Sequence, residues 1–241
     1  MMNWSRVKTI FFKELAVYFN SPIAYIFIAI FLVVSSWLFW QDFFLLGQAN
    51  IRNYLSLLPW LLLFLTPAIT MRLWSEEKRM GTLEILLTLP VRDSEVVWGK
   101  YLSGLAFLLL NLLLSLTIPI TVSLLGNLDW GVVAGGYLGS LFLGAAYLAL
   151  GMFISSLSKN QIISLLVAIV ANFFFYIIGS SYVVDLFGTG LASVLSYLGL
   201  SSHFGNITKG VIDSRDLVYY LSFIGFFLFL NIKSLASRHW K

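Results

Sequence analysis

The sequence predicts an all-α integral membrane protein with six transmembrane helices. Three observations carry that prediction. Of 241 residues, 59% are apolar and only 11% are charged, whereas a soluble domain of this size is usually about 25% charged. Lipid must therefore cover much of the surface. The apolar residues gather in six runs, each near the ~20 residues needed to cross the hydrocarbon. The basic residues fall on alternate connections between those runs, which is the pattern of the positive-inside rule.

The N-terminal segment, 1–21, reads as a basic amphipathic helix. Trp4, Val7, Ile10, Phe11, Leu15 and Phe19 recur at steps of three and four, while Ser5, Lys8, Thr9 and Lys13 occupy much of the other side and Phe12 falls off the pattern. Such a helix suits the inner-leaflet surface and also serves as an orientation anchor, and the two roles are compatible. The first apolar run lies behind this charged helix, so no cleavable signal peptide is expected. Pro22 is well placed to start the first span, 22–40, because a helix tolerates proline in its first turn. The following spans are expected at 54–71 (interrupted by Pro59 and Pro67), 101–125, 132–157, 162–184 and 217–232. Trp37, Trp40, Trp60, Trp74, Trp98 and Trp130 stand near span ends, as interfacial aromatics do. The outer segment 185–216 holds an apolar stretch broken by Gly188, Gly190 and Gly199. It reads as short helices in the outer interface or re-entering part way; a seventh span is the competing reading.

With six spans and a cytoplasmic N-terminus, Arg6, Lys8, Lys13, Arg72, Lys78, Arg79, Arg92, Lys100, Lys159, Lys233, Arg238 and Lys241 lie inside, and only Arg52, Lys209 and Arg215 lie outside. A seventh span would carry Lys233, Arg238 and Lys241 outward, against the rule. Both termini are therefore expected in the cytoplasm. The net charge of +4 is segregated by loop and forms no aromatic-laced basic groove, so nucleic acid is not an expected partner.

The spans exclude several functions. No Asp, Glu, Lys or Arg lies inside any of them, and ion-coupled transporters and proton pumps bind their coupling ion at depth through such groups. The histidines, His203 and His239, fall on opposite sides of the membrane, and there is no cysteine, so neither a convergent catalytic site nor a thiolate metal site is available. Asn111, Ser115, Thr117 and Asn172 suit helix–helix hydrogen bonds. No G-x-x-x-x-G-K-[ST] loop is present to cradle phosphates. The chain is expected to be no enzyme, with no cofactor or metal of its own, and any ATP-driven work needs a separate ATPase.

The most informative segment is 72–100, expected as a cytoplasmic loop, which carries ten of the chain's 26 charged residues. Within it, Thr82–Pro90 reads as a short helix. Gly81 breaks the preceding turn, Thr82 caps, Glu84 complements the helix dipole and Pro90 ends the element. Leu83, Leu86, Leu87 and Pro90 form one apolar stripe. Two readings stand: a docking surface for a partner, or an interfacial helix in a solvated loop.

The run Glu76-Glu77-Lys78-Arg79-Met80-Gly81-Thr82-Leu83-Glu84-Ile85-Leu86-Leu87-Thr88-Leu89-Pro90-Val91, followed by Gly99-Lys100, resembles the coupling-helix signature of type-2 ABC exporter permeases. Lys13-Glu14, Ser21-Pro22-Ile23-Ala24-Tyr25, Ser202-His203-Phe204 and Lys209-Gly210-Val211-Ile212-Asp213-Ser214-Arg215-Asp216 extend the resemblance along the chain, more narrowly to the gliding-motility branch akin to the permease of nitrous-oxide-reductase maturation. The resemblance implies a bacterial inner-membrane permease with an N-terminal elbow helix, a cytoplasmic coupling helix and short re-entrant outer helices before the last span. It implies a second permease copy, an ABC ATPase that binds ATP and magnesium, and an accessory membrane protein. Glu76, Glu77, Gly81, Thr82, Leu83, Glu84, Leu86, Leu87 and Pro90 would then meet the ATPase, with Leu83, Leu86 and Leu87 as the ridge and Glu77 and Glu84 contacting polar groups around it. An alternative function is a membrane scaffold that transmits ATPase strokes to an envelope machine without translocation.

Two features each admit two readings. Gly131, Gly135 and Gly139, continued by Ser140 and Gly144, let a neighbouring helix approach closely, either within one subunit or between two. His203 reads as a pH-sensitive or ligand-contacting group, or as a satisfied polar group at the interface. Lys209, Asp213, Arg215 and Asp216 balance in charge and are expected to stabilise the outer segment.

Overall fold

The computed structural model describes residues 2–46, 50–88, 90–186, 189–208 and 213–237, with the side chains of 42, 44–46, 87 and 189 excepted. Expectations resting on Gly188, Leu89, Lys209, Arg238, His239 and Lys241, and on the side chain of Leu87, lie outside these residues. Every described element is a helix: α1 (Trp4–Phe19), α2 (Pro22–Leu46), α3 (Arg52–Met80), α4 (Thr82–Thr88), α5 (Asp93–Ser115), α6 (Thr117–Leu125), α7 (Trp130–Leu157), α8 (Gln161–Ile177), α9 (Ser181–Val184), α10 (Thr189–Leu198), α11 (Leu200–Thr208) and α12 (Ser214–Ala236).

Five stretches are long and apolar enough to cross a membrane: Pro22–Gln41, Arg52–Met80, Asp93–Leu125, Trp130–Leu157 and Ser214–Ala236. The expected span at 162–184 is divided. Helix α8 stops at Ile177 after 17 residues, about 25 Å of rise, and α9 is a separate turn. The cause is a crossing of two backbones. A Cβ on Gly179 would lie 2.6 Å from the Gly199 Cα, so the end of α8 and the α10–α11 junction touch main chain to main chain. Gly179→Ala should therefore force a backbone shift, with a loss of about 1–3 kcal/mol. Unfolding of the purified chain in detergent checks this.

The charged segment is also more helical than expected. Helix α3 runs through Pro59 and Pro67 without interruption and carries Arg72–Met80 as its last turns. Arg72 and Glu76 form an i,i+4 pair at 3.2 Å, and Lys78 and Arg79 stand in the last turn, where the helix dipole favours cations. Helix α5 begins at Asp93, so what was expected as a loop over 72–100 reduces to the connector 81–92 with α4 inside it. A shorter break separates α5 from α6 ahead of Pro119, whose ring cannot continue the hydrogen-bond ladder.

Helix α7 is the centre of the bundle: 78% of its apolar window is buried, against 22% for α2 and 28% for α12. It lies beside α3 in parallel. Leu55 meets Gly136, Thr70 meets Gly151, and Trp74 donates its backbone N–H to Ser155 Oγ across a constant offset of 81 residues. Ser155 Oγ also accepts from Ser75 N–H at 3.3 Å and donates to the Met71 carbonyl at 3.1 Å. Gly144 admits Leu108 of α5, and Gly139 faces Ile207 and Phe204 of α11. Gly139 and Gly144 of the small-residue stripe therefore receive helices of the same chain, while Gly131 is exposed.

Among the described residues, the long-range contacts gather most cations at one end of the bundle. Arg6 reaches Glu95 at 3.6 Å, Lys78 donates to the Ser156 carbonyl, and Ser156 bonds Ser234 at 3.0 Å, close to Lys159 and Lys233. Arg52 and Arg215 stand at the opposite end. There His203 is a satisfied polar group. Its Nδ1 lies 2.6 Å from Asp216 Oδ1, its Nε2 lies 2.9 Å from the Tyr197 carbonyl, and its ring stacks on Tyr219 at 3.9 Å. It thereby fastens α10, α11 and α12 together. Asp213 caps α12 by accepting from Arg215 N–H at 2.9 Å.

Candidate docking site at the basic end

Helix α1 is fixed against α5 at its start and along its length. Asn3 caps α1, and its own N–H donates to Glu95 Oε1 at 2.8 Å. Further along, Ile10 sits where a Cβ on Gly99 would be, 2.6 Å away. That approach leaves Val7, Glu14 and Tyr18 buried, while Trp4, Lys8, Phe12 and Lys13 stay exposed. The buried face thus runs Val7–Glu14–Tyr18, with Ile10 packed against the core, and includes a carboxylate that the sequence pattern did not place there.

Lys100 answers that carboxylate. It is 2% exposed, and its ammonium donates to Glu14 Oε1 at 3.0 Å, to the Leu73 carbonyl at 3.0 Å and to Glu77 Oε1 at 2.8 Å. All three N–H groups are used, and the charge also lies 5.0 Å from the centre of the Trp74 ring. A buried ammonium is tolerated only when paired and fully hydrogen-bonded. One side chain thus binds α1, the end of α3 and α5 at a single point. Lys13-Glu14 and Gly99-Lys100, separate in the sequence, meet here.

Helix α4 stands over this cluster. Gly81 ends α3 with φ +72°, a left-handed conformation that strains any L side chain, although a Cβ there would meet nothing within 4 Å. Glycine is required here by the backbone rather than by space. Thr82 Oγ1 donates back to the Glu77 carbonyl at 3.3 Å. Between α1, α3, α4 and α5 lies a cavity of about 420 Å³, whose wall includes Tyr18, Arg72, Glu76, Met80, Ile85 and Lys100.

The expected docking residues divide into two sets. Leu83 is 4% exposed and belongs to the core, and Leu86 is half-buried against it. Glu76 is half-buried and paired with Arg72, and Glu77 is turned inward to Lys100. Gly81, Thr82, Glu84 and Pro90 are exposed. Within the chain, Leu83 and Leu86 pack α4 against its own body. The exposed edge is Met80, Glu84, Ile85 and Thr88, with Ile85 64% and Met80 58% exposed. The stripe was legible at helical spacing, but spacing does not say whether a stripe faces its own body or a partner. An apolar Ile85 off the stripe was the available signal. Among the described residues no cluster of His, Asp and Glu suits a metal ion.

Comparison with known families adds to this geometry. The family model described as ABC-2 family transporter protein matches residues 47–230, which takes in α3–α11, most of α12, and so the whole of α4 and Lys100. No curated protein matches the chain.

Proposed function

The chain belongs to the ABC-2 family of transporter proteins, as the multi-pass permease component of an ABC transporter, and we propose that it couples ATP hydrolysis on a separate ABC ATPase to export across a bacterial inner membrane. The single observation that carries this reading is the exposed edge of α4 set directly above the Lys100 cluster. The ATPase covers Met80, Glu84, Ile85 and Thr88. Movement of that contact passes through Gly81 into α3, and through Lys100 into α1 and α5, because the same ammonium holds all three. ATP and magnesium bind the partner. The basic end faces the cytoplasm, where ten described cations stand: Arg6, Lys8, Lys13, Arg72, Lys78, Arg79, Arg92, Lys100, Lys159 and Lys233.

In this proposal α2, α3, α5–α6, α7, α8 and α12 are the six spans. Helix α8 crosses with its 17 residues by local thinning of the bilayer or by support from α10 and α11. Helix α1 is the elbow on the inner leaflet, α4 is the coupling helix, and α9–α11 are the short outer helices. A second permease copy completes the pathway. The gliding-motility branch, with its accessory membrane protein, remains the narrower proposal, carried by the motifs given above.

The test is reconstitution. Vesicles holding the permease alone should hydrolyse no ATP, since the chain has no phosphate-binding loop. Vesicles holding permease and ATPase should hydrolyse ATP and move cargo. Hydrolysis without any translocation would favour the scaffold function, and hydrolysis by the permease alone would remove the proposal.

A further inference from the structure

At the end opposite Lys100 a second cavity, of about 290 Å³, opens between the first turn of α3, the end of α8 and α11. Arg52, Tyr176 and Ser201 line it together with Leu55 and Phe204, and among the described residues none that lines it carries a carboxylate. The Arg52 backbone N–H is taken by Asn50 Oδ1 at 2.9 Å. Its guanidinium pairs with no carboxylate among the described residues. This cation also stands at the first position of α3, where the positive end of the helix dipole disfavours it. The Ser201 hydroxyl is buried without a hydrogen-bond partner, a group that costs free energy until an acceptor reaches it. A planar guanidinium and a leftover hydroxyl, with the Tyr176 phenol on the same wall, form a set of donors lacking an acceptor. Beside them, Leu55 is 2% and Phe204 5% exposed, giving the cavity an apolar flank.

We propose that this cavity binds a phosphate-type oxyanion carried on an amphiphile. Arg52 holds two of its oxygens in the fork geometry that guanidinium favours, Ser201 and Tyr176 donate to the remainder, and the chain of the amphiphile leaves along Leu55 and Phe204. On the exporter reading, on which this one step rests, such an amphiphile is the class of cargo that the permease releases at this end. The binding itself is independent of the ATPase.

The full chain, purified in dodecyl maltoside, is titrated with decyl phosphate, decyl phosphocholine and inorganic phosphate. Decyl phosphate should bind saturably. Arg52→Gln should weaken it about tenfold or more, the usual consequence of losing a charge-assisted contact. Arg52→Lys should retain part of the affinity. Arg215→Gln, which removes a cation at the same end on α12, should leave binding unchanged. Gel filtration confirms that each variant stays monodisperse. Weak, Arg52-dependent binding of inorganic phosphate supports the amphiphile. Inorganic phosphate binding as tightly as decyl phosphate would overturn the amphiphile and leave a free-anion site. Arg52-dependent binding of decyl phosphocholine would support the amphiphile with a phosphodiester headgroup, whereas decyl phosphate binding that ignores Arg52→Gln would overturn the proposal altogether. Neither overturning result would touch the exporter reading, which fails only in the reconstitution above.

Discussion

Replacing Lys100 by methionine should destabilise the protein by about 3–5 kcal/mol, the cost of stranding buried charges. Methionine fills a similar volume but leaves Glu14, 7% exposed, and Glu77 facing each other without the buried cation, with only the exposed Lys13 ammonium still 3.5 Å from Glu14. It also leaves the Leu73 carbonyl without its donor. Removing the charges together should restore most of the loss, because a buried ion cluster exchanged for neutral groups of similar volume is often close to neutral in stability. The triple variant Glu14→Gln, Glu77→Gln, Lys100→Met should therefore unfold nearer to the parent than Lys100→Met alone. Equilibrium unfolding in mixed micelles measures both. A loss below about 1 kcal/mol that fades at high salt is the signature of an exposed pair, and would mean that the cluster does not bind α1, α3 and α5 as described. The variants also separate stability from coupling. The triple variant should keep the fold yet transmit less from α4 to α1, because amide hydrogen bonds replace the charged joint.

Most of the membrane fold was legible in the sequence because lipid imposes a length and a polarity on every crossing. The runs beginning at Pro22, Tyr54, Tyr101, Val132 and Leu217 all fall within the five long apolar stretches. Helix continuity was less legible. Charge at Arg72–Arg79 marks where the chain leaves the apolar layer, but says nothing of whether the helix stops there, and i,i+4 pairing lets it go on. The interruption of 162–184 was hidden for the opposite reason. Gly179 reads as an ordinary residue in an apolar run until Gly199, twenty positions away, is found against its backbone. Long-range pairs were invisible in the same way. Nothing local in Lys13-Glu14 or in Gly99-Lys100 announces that Glu14 and Lys100 meet, or that Lys100 also reaches Glu77. At α4 the sequence correctly showed an amphipathic turn with its glycine start, and the assignment of its faces needed the fold. His203 was open between function and packing, and the carboxylate and carbonyl on its two nitrogens decide for packing.

On the function proposed above, the ATPase rests on the outer edge of α4. Ile85→Asp tests it most directly, since Ile85 is 64% exposed and its replacement removes no contact from the core of the chain. Burying a carboxylate where an apolar side chain should enter a groove costs an interface about 2 kcal/mol or more, a loss of roughly thirtyfold in affinity. Leu86→Asp is the informative companion, because Leu86 packs against its own chain and should lower the stability of the permease as well as its hold on the ATPase. Glu84→Gln, at the exposed edge, should act weakly and less still at high salt. The deciding measurement is co-purification of the ATPase with tagged permease carrying Ile85→Asp, alongside unfolding of that permease in detergent. The permease should remain monodisperse with unchanged stability, and the ATPase should be lost. Full recovery of the ATPase with Ile85→Asp would contradict it and move the docking surface away from α4.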